Sequence, residues 1–158
     1  GFRWCEGAMG RLLRISDAAN FAIHAMVLIA EANGRRRMSV LELAGILDVS
    51  EAHLGKVLQR LTRQGFLLSR RGPGGGFELA RDPHDVTLLD VVSAIDGPLT
   101  AGPCLLGRPL CVGKRCAMLG VLEKVHKLVF DHLEGTRLSD VVEQDLHHLA
   151  ERVHQDVA

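Results

Sequence analysis

MSVLELAGILDVSEAHLGKVLQRLTRQGFL, from Met38 to Leu67, contains two helix starts in close succession. Ser39 stands three residues before Glu42, the Ser-x-x-Glu spacing of a capping box, and the apolar positions Leu43, Ile46 and Leu47 follow. This predicts a short helix. Ser50 can cap a second, in which Leu54, Val57, Leu58 and Leu61 recur at helical spacing while Glu51, His53, Lys56, Gln59, Arg60 and Arg63 lie off that stripe. Gly65 is placed to end it. Two short helices joined by three or four residues form a helix-turn-helix, whose second helix can enter a DNA major groove.

Upstream, ISDAANFAIHAMVLIAEANG reads as one buried amphipathic helix from Ser16 to about Ala32, with a Ser/Asp start and an Asn-Gly stop. Downstream the period changes. FLLSRRGPGGGFELA has two short apolar runs, Phe66–Leu68 and Phe77–Leu79, around a glycine-rich turn, which is the pattern of a β-hairpin and, directly after such a helix, of a wing. A phosphate-cradling loop is the weaker reading of these glycines, since no Gly-Lys-Ser/Thr follows. RDPHDVTLLDVVSAIDG fits a turn at Pro83 and a helix from about Thr87 to Ile95, closed by Gly97. From about Ala117 to Glu134, Leu119, Leu122, Val125, Val129 and Leu133 form one apolar face of a long helix. Such a stripe needs a partner. A homodimer seam is preferred over packing back on its own domain. Ser139 to the end reads as a further, acidic helix. The fold expected is mainly α with a small β-hairpin wing: a winged helix-turn-helix domain plus a long dimerisation helix.

The chain has 158 residues, 47% of them hydrophobic and 24% charged, which suits one globular domain with a helical arm and excludes a disordered tail. The most apolar run, Phe21 to Ala30, is far short of the roughly 18 residues that a spanning helix needs. The start lacks the succession of a secretory signal, so a cytoplasmic location and no membrane partner are expected. Net charge is zero, yet it is unevenly spread. Between Glu51 and Arg81 stand Lys56, Arg60, Arg63, Arg70, Arg71 and Arg81 against Glu51 and Glu78, whereas acids dominate from Glu134 to Ala158. Local fields of this kind steer an anionic partner where totals do not.

Three of the four cysteines, Cys104, Cys111 and Cys116, fall within the Gly/Pro-containing run CLLGRPLCVGKRC; Cys5 stands apart in GFRWCEGAMG and carries little weight. Cysteines in a reducing compartment favour metal or redox chemistry over structural disulfides. Clustered thiolates on a loop can wrap an iron–sulfur cluster. Structural zinc prefers two close pairs, often Cys-x-x-Cys, which this loop lacks. The spacing of six and then four residues is diagnostic of neither metal.

The helix-turn-helix run, the wing SRRGPGGGFELARDP, the following VTLLDVVSAIDGP and the three cysteines together resemble the IscR/NsrR/RirA family of bacterial winged-helix iron–sulfur transcription regulators, over roughly Leu13 to Glu134. The resemblance divides the chain into an N-terminal extension (1–12), a winged helix-turn-helix domain (13–98), a cysteine cluster-binding loop (99–116) and a dimerisation helix with an acidic C-terminal helix (117–158). It implies a non-enzymatic homodimer that binds double-stranded DNA at an inverted-repeat operator. Ser39, Ser50, Ala52, His53, Gly55, Lys56 and Arg60 would face DNA, with Arg71, Gly74 and Gly75 at the wing. Gly55 replaces a carboxylate of the IscR type, so that type's operator preference does not transfer. Lys56 can donate to guanine or, as most protein–DNA hydrogen bonds do, to the backbone.

The same resemblance implies a 2Fe-2S or 4Fe-4S cluster held by Cys104, Cys111 and Cys116, with Cys111 displaced by one residue from the IscR-type spacing. The histidine of the IscR type, three residues past the last cysteine, is Leu119 here. Other members borrow an acidic side chain from the partner's first helix. The matching position is Asn20, with Asp17 one turn earlier and His24 one turn later, so these three are the candidate fourth ligands. A cluster-free thiol switch between Cys104 and Cys111 or Cys116, and a zinc-stapled protein-interaction module, are the rival readings. A thiol enzyme pairing Cys104 or Cys116 with His126 or His132 lacks support, because an apolar helix face already explains that segment.

Overall fold

Ser39 and Ser50 cap their helices as their spacing predicts. The computed structural model describes residues 15–32, 35–100 and 119–143, with only the backbone of Leu119. Along them run α1 (Asp17–Ala32), α2 (Val40–Leu47), α3 (Glu51–Arg63), β1 (Leu67–Arg70), β2 (Gly76–Leu79), α4 (Leu88–Asp96), α5 (Leu119–Gly135) and α6 (Leu138–Glu143). The Ser39 hydroxyl accepts the Glu42 N–H at 3.1 Å, and the Ser50 hydroxyl accepts the His53 N–H at 3.2 Å. The other half of the expected box at Ser39 is altered. Glu42 turns its carboxylate to Arg36, 2.6 Å away, because a charge-assisted pair with a guanidinium is stronger than one bond from a neutral N–H. The reciprocal box lies instead at the start of α4, where Thr87 and Asp90 exchange bonds of 3.1 and 2.9 Å.

The turn between α2 and α3 is tight because Asp48 adopts the left-handed conformation (φ 52°), which short polar residues tolerate better than most. α3 ends in a Schellman motif: Gly65 (φ 76°) donates to Thr62 O and Phe66 to Leu61 O, both at 3.0 Å. Arg81 then seals this end. Its Nε and Nη2 donate to Gly65 O and Gln64 O at 3.0 and 3.1 Å, and its guanidinium sits 4.2 Å from the Phe66 ring centroid. Arg81→Ala is expected to cost about 1–2 kcal/mol, read from the denaturant midpoint at an unchanged slope. No shift in midpoint would show that water caps this end as well as the guanidinium does.

The hairpin starts one residue later than the sequence suggests, with Leu67 opposite Leu79 and Arg70 opposite Gly76, because Phe66 is used in the α3 cap. Met38 adds a bridge to Phe77, with N–H···O bonds of 3.1 and 2.8 Å, so the wing is laced to the start of α2. The core gathers Met26 and Ile29 of α1, Leu43 of α2, Leu54, Leu58 and Leu61 of α3, Leu67 of β1, Val91 and Val92 of α4, and Leu138 of α6. Each such aliphatic side chain contributes about 1.5–3 kcal/mol by leaving water.

The apolar stripe of α5 is covered in part by its own subunit. Leu133 belongs to the core, Val129 and Phe130 pack against it, Leu122 is buried and Val125 is half-buried. The chain folds back after α5: Leu88 N–H bonds to Thr136 O and Leu138 N–H to Val86 O, each at 2.9 Å. Among the described side chains of α5, the large apolar residues left exposed are Val121 and Leu128, one heptad apart and off the expected stripe. The acidic C-terminal segment enters the described region only as α6. No helix among the described residues is long and apolar enough to cross a membrane.

Candidate nucleic-acid interface

The burial of Leu54, Val57, Leu58 and Leu61 fixes the rotation of α3, leaving Ser50, Ala52, His53, Lys56, Gln59, Arg60 and Arg63 exposed and Gly55 half-buried. A Cβ on Gly55 would make ordinary contact with Val40, 3.9 Å away, so glycine is accommodated there and not sterically required. His53 is braced: its ring meets Phe21 of α1 edge-on at 5.5 Å, which ties the start of α3 to α1.

Of the six cations counted in the basic middle, Arg81 serves the α3 cap and Arg70 lies 4.0 Å from Glu78. Lys56, Arg60, Arg63 and Arg71 are exposed and make no ion pair among the described residues. The four thus place charge without a described counter-ion along one helix and at the base of the wing. The wing glycines have a backbone explanation. Gly72 and Gly74 have φ of 87° and 69°, and a Cβ on Gly75 would lie 2.5 Å from Arg70 O. The Gly75 N–H is used within the turn, donating to Gly72 O at 2.9 Å.

The sequence reading missed Arg35, Arg36 and Arg37. With Glu78 they line a polar cleft of about 240 Å³ beside the wing. Arg37 Nε lies 3.0 Å from the Glu78 carboxylate and its Nη1 donates to Gly74 O at 3.5 Å, bracing β2 and the wing turn from one side chain. The signal was the Arg-Arg-Arg run immediately before Ser39, which passes for a solvated loop. The Arg36 guanidinium beside Glu42 holds that carboxyl below the usual carboxylate range. Because this pKa is depressed on folding, the pair's contribution is present at neutral pH and lost as pH falls through the lowered value. Exposure keeps it under about 1 kcal/mol.

Cys104, Cys111 and Cys116 lie outside the described residues. Among the described residues, no three His, Cys, Asp or Glu side chains converge on a metal-sized site. The candidate fourth ligands share one face of α1. Asp17 and Asn20 are exposed and His24 is half-buried. The His24 Nδ1–H donates to Asn20 O at 2.8 Å, which leaves the lone pair on Nε2, the state in which imidazole binds metals. Asn20 and His24 also line an apolar groove of about 250 Å³ with Phe21, Val27, Leu28, Ile46 and Leu47. His126 stacks on Phe130, and its Nε2–H donates to Leu99 O at 3.3 Å.

A helix-turn-helix with a glycine wing and an exposed cationic face is a DNA-binding arrangement, and the family model described as "Rrf2: Iron-dependent Transcriptional regulator" matches residues 15–144. The chain belongs to the Rrf2 family. This makes it a DNA-binding transcription regulator and not an enzyme, and bears out the resemblance read from the helix-turn-helix and the RGPGGG wing. Among Rrf2-like relatives, Protein aau3 of Rhizobium meliloti (strain 1021) is 32% identical over 132 residues, 82% of this chain and 85% of that one. The structure of T. potens IscR superposes with a TM-score of 0.66 at 28% identity, covering 87% of this chain and 90% of that chain. CymR (YrzC), the global cysteine regulator of B. subtilis, superposes with a TM-score of 0.68 at 23% identity, covering 83% and 97%, a likeness of fold.

Proposed function

We propose that this Rrf2 protein is a cytoplasmic homodimeric regulator whose affinity for an inverted-repeat operator is set by an iron–sulfur cluster on Cys104, Cys111 and Cys116. The observation that carries the reading is the set of three thiols within thirteen residues, placed between a winged helix-turn-helix and α5, in a family described as iron-dependent. The donor set suits the group, since thiolates are the usual ligands of such clusters and His24 Nε2 retains a lone pair for a fourth position from the partner subunit. When bound, the cluster supplies a centre whose damage or loss reports nitric oxide, redox state or iron supply.

The chain's own residues do the rest. Lys56, Arg60 and Arg71 neutralise phosphates, Ser50, Ala52 and Gly55 let α3 approach base edges, and Ser39 meets the backbone at the start of α2. Exposed Val121 and Leu128 on α5 support the homodimer, for such a pair one heptad apart is hidden when two α5 helices meet. A dimer spaces two α3 helices about one DNA turn apart, as an inverted repeat requires.

The test is iron and acid-labile sulfide per chain, with an absorption spectrum, on protein purified without oxygen. Matched iron and sulfide, with bands lost in Cys104→Ala, Cys111→Ala and Cys116→Ala, is the expected result. His24→Ala is expected to shift the absorption bands, while Asp17→Ala and Asn20→Ala leave them in place. Unshifted bands in all three variants would move the fourth position away from α1. Absence of iron and sulfide after reconstitution would overturn the cluster and leave a thiol switch, or zinc if that metal is found at one per chain.

A further inference from the structure

Hydrogen bonds from three different elements end on one short stretch, Ala94–Leu99. Gln64, at the end of α3, donates its amide Nε2–H to Ala94 O at 2.7 Å. Ser16, ahead of α1, donates its N–H and its hydroxyl to the two carboxylate oxygens of Asp96, at 2.7 and 2.6 Å. His126 of α5 donates to Leu99 O at 3.3 Å. Each partner is at least 27 residues away in sequence, so these bonds define tertiary position and not local conformation.

The stretch has its own reasons to recruit them. Ala94 O is among the last four carbonyls of α4, which have no partner inside the helix, and Gly97 (φ 80°) turns the chain away. Ala94, Ile95 and Leu99 are buried, so a rearrangement here disturbs packed side chains as well as hydrogen bonds. Cys104 stands five residues beyond Leu99, and five residues span at most about 18 Å when fully extended. The first thiol is thus on a short tether to the point where α1, α3 and α5 are joined.

We infer that Ala94–Leu99 is the junction through which the cysteine segment moves the recognition helix, with Gln64 the positioning residue on the α3 side and His126 on the α5 side. This rests on the reading that the cysteine segment is the sensor. Displacement of Leu99 acts on the end of α4, and the Gln64 amide carries it to the end of α3. A change of several tenths of an ångström matters there, because N–H···O bonds cluster within a range of only about 0.5 Å in donor–acceptor distance. Through His126, the same displacement reaches α5 and the separation of the two α3 helices.

The test compares anaerobic operator affinity of the protein with its cysteines intact and with Cys104, Cys111 and Cys116 all changed to alanine. Wild type is expected to show a ratio in the range of roughly 5–150-fold, as allosteric couplings do. Gln64→Met and His126→Leu are expected to bring that ratio below about twofold, while His126→Gln, which can still donate to Leu99 O, restores it. A ratio in Gln64→Met equal to that of wild type would overturn the junction and leave the sensor intact. A wild-type ratio of one would overturn both, and no operator binding by any form would overturn the DNA reading with them. Hydrogen exchange across 60–66, compared between wild type and the triple cysteine variant, needs no junction substitution. Unequal protection is expected, and identical protection would overturn the junction even if Gln64→Met failed to fold.

Discussion

Changing both Lys56 and Arg60 to alanine is expected to weaken operator binding at least about a hundredfold without loss of stability. Hydrogen bonds to charged groups contribute about 1.5–3 kcal/mol each, and the double variant removes two such donors per subunit. Neither side chain supports the fold: both are exposed, on the face of α3 opposite Leu54, Leu58 and Leu61, and alanine is at least as good a helix former as the residues it replaces. The slope of log affinity against log salt separates contact from field and monomer from dimer. Each neutralised phosphate contributes about 0.9 to that slope, so losing two contacts lowers it by about 2 and losing four, in a dimer, by about 4. A drop near 4 supports two α3 helices on one DNA, a drop near 2 supports one, and an unchanged slope would remove Lys56 and Arg60 from the interface.

What the sequence made legible was whatever depends on neighbours within a turn or two. The Ser39 and Ser50 caps, the Leu54–Leu61 stripe and the Gly65 stop involve residues three to five apart, and all appear in the structure. Where a residue three apart competes with one brought by tertiary contact or by the preceding loop, the reading slipped. Glu42 went to Arg36, and Phe66 left the strand for the helix cap. Arg81 looked like one more cation of the basic middle, because nothing local reveals that the chain returns it to the end of α3. The same holds for α5. Its periodicity correctly marked an apolar face, but periodicity states that a face is covered and is silent on what covers it. Leu133 and Val129 found their cover in their own subunit, leaving Val121 and Leu128 outward. The candidate interface was legible through composition, as glycines and cations in one stretch. Arg35, Arg36 and Arg37 were not, since their meaning comes from the Met38–Phe77 bridge that places them beside the wing.

Alanine at Gly76 is expected to cost about 3–5 kcal/mol, whereas alanine at Gly72 costs about 1–2 kcal/mol, although both glycines have positive φ in the same hairpin. Around Gly72 nothing lies within 4 Å of an added Cβ, so Gly72→Ala incurs only the strain of a left-handed backbone. At Gly76 the added Cβ would stand 2.6 Å from Met38 O and 2.8 Å from Met38 C. No rotamer change relieves a collision with main chain, so Met38 must retreat and its two bonds to Phe77 are lost, at roughly 0.5–1.5 kcal/mol each beyond the strain. For a domain stable by about 5–15 kcal/mol this is a large fraction. The functional consequence is selective. The same retreat draws Arg37 from Glu78 and Gly74 and loosens the packing of buried Met38, so the wing loses its brace to the start of α2 while the α3 caps persist. Operator affinity of the folded fraction should then fall toward that of non-specific DNA, with the Lys56 and Arg60 share of the salt slope retained. Urea unfolding of the two variants decides the matter. Equal costs at Gly72 and Gly76 would show that backbone strain, and not the meeting of wing and Met38, is why this turn needs glycine.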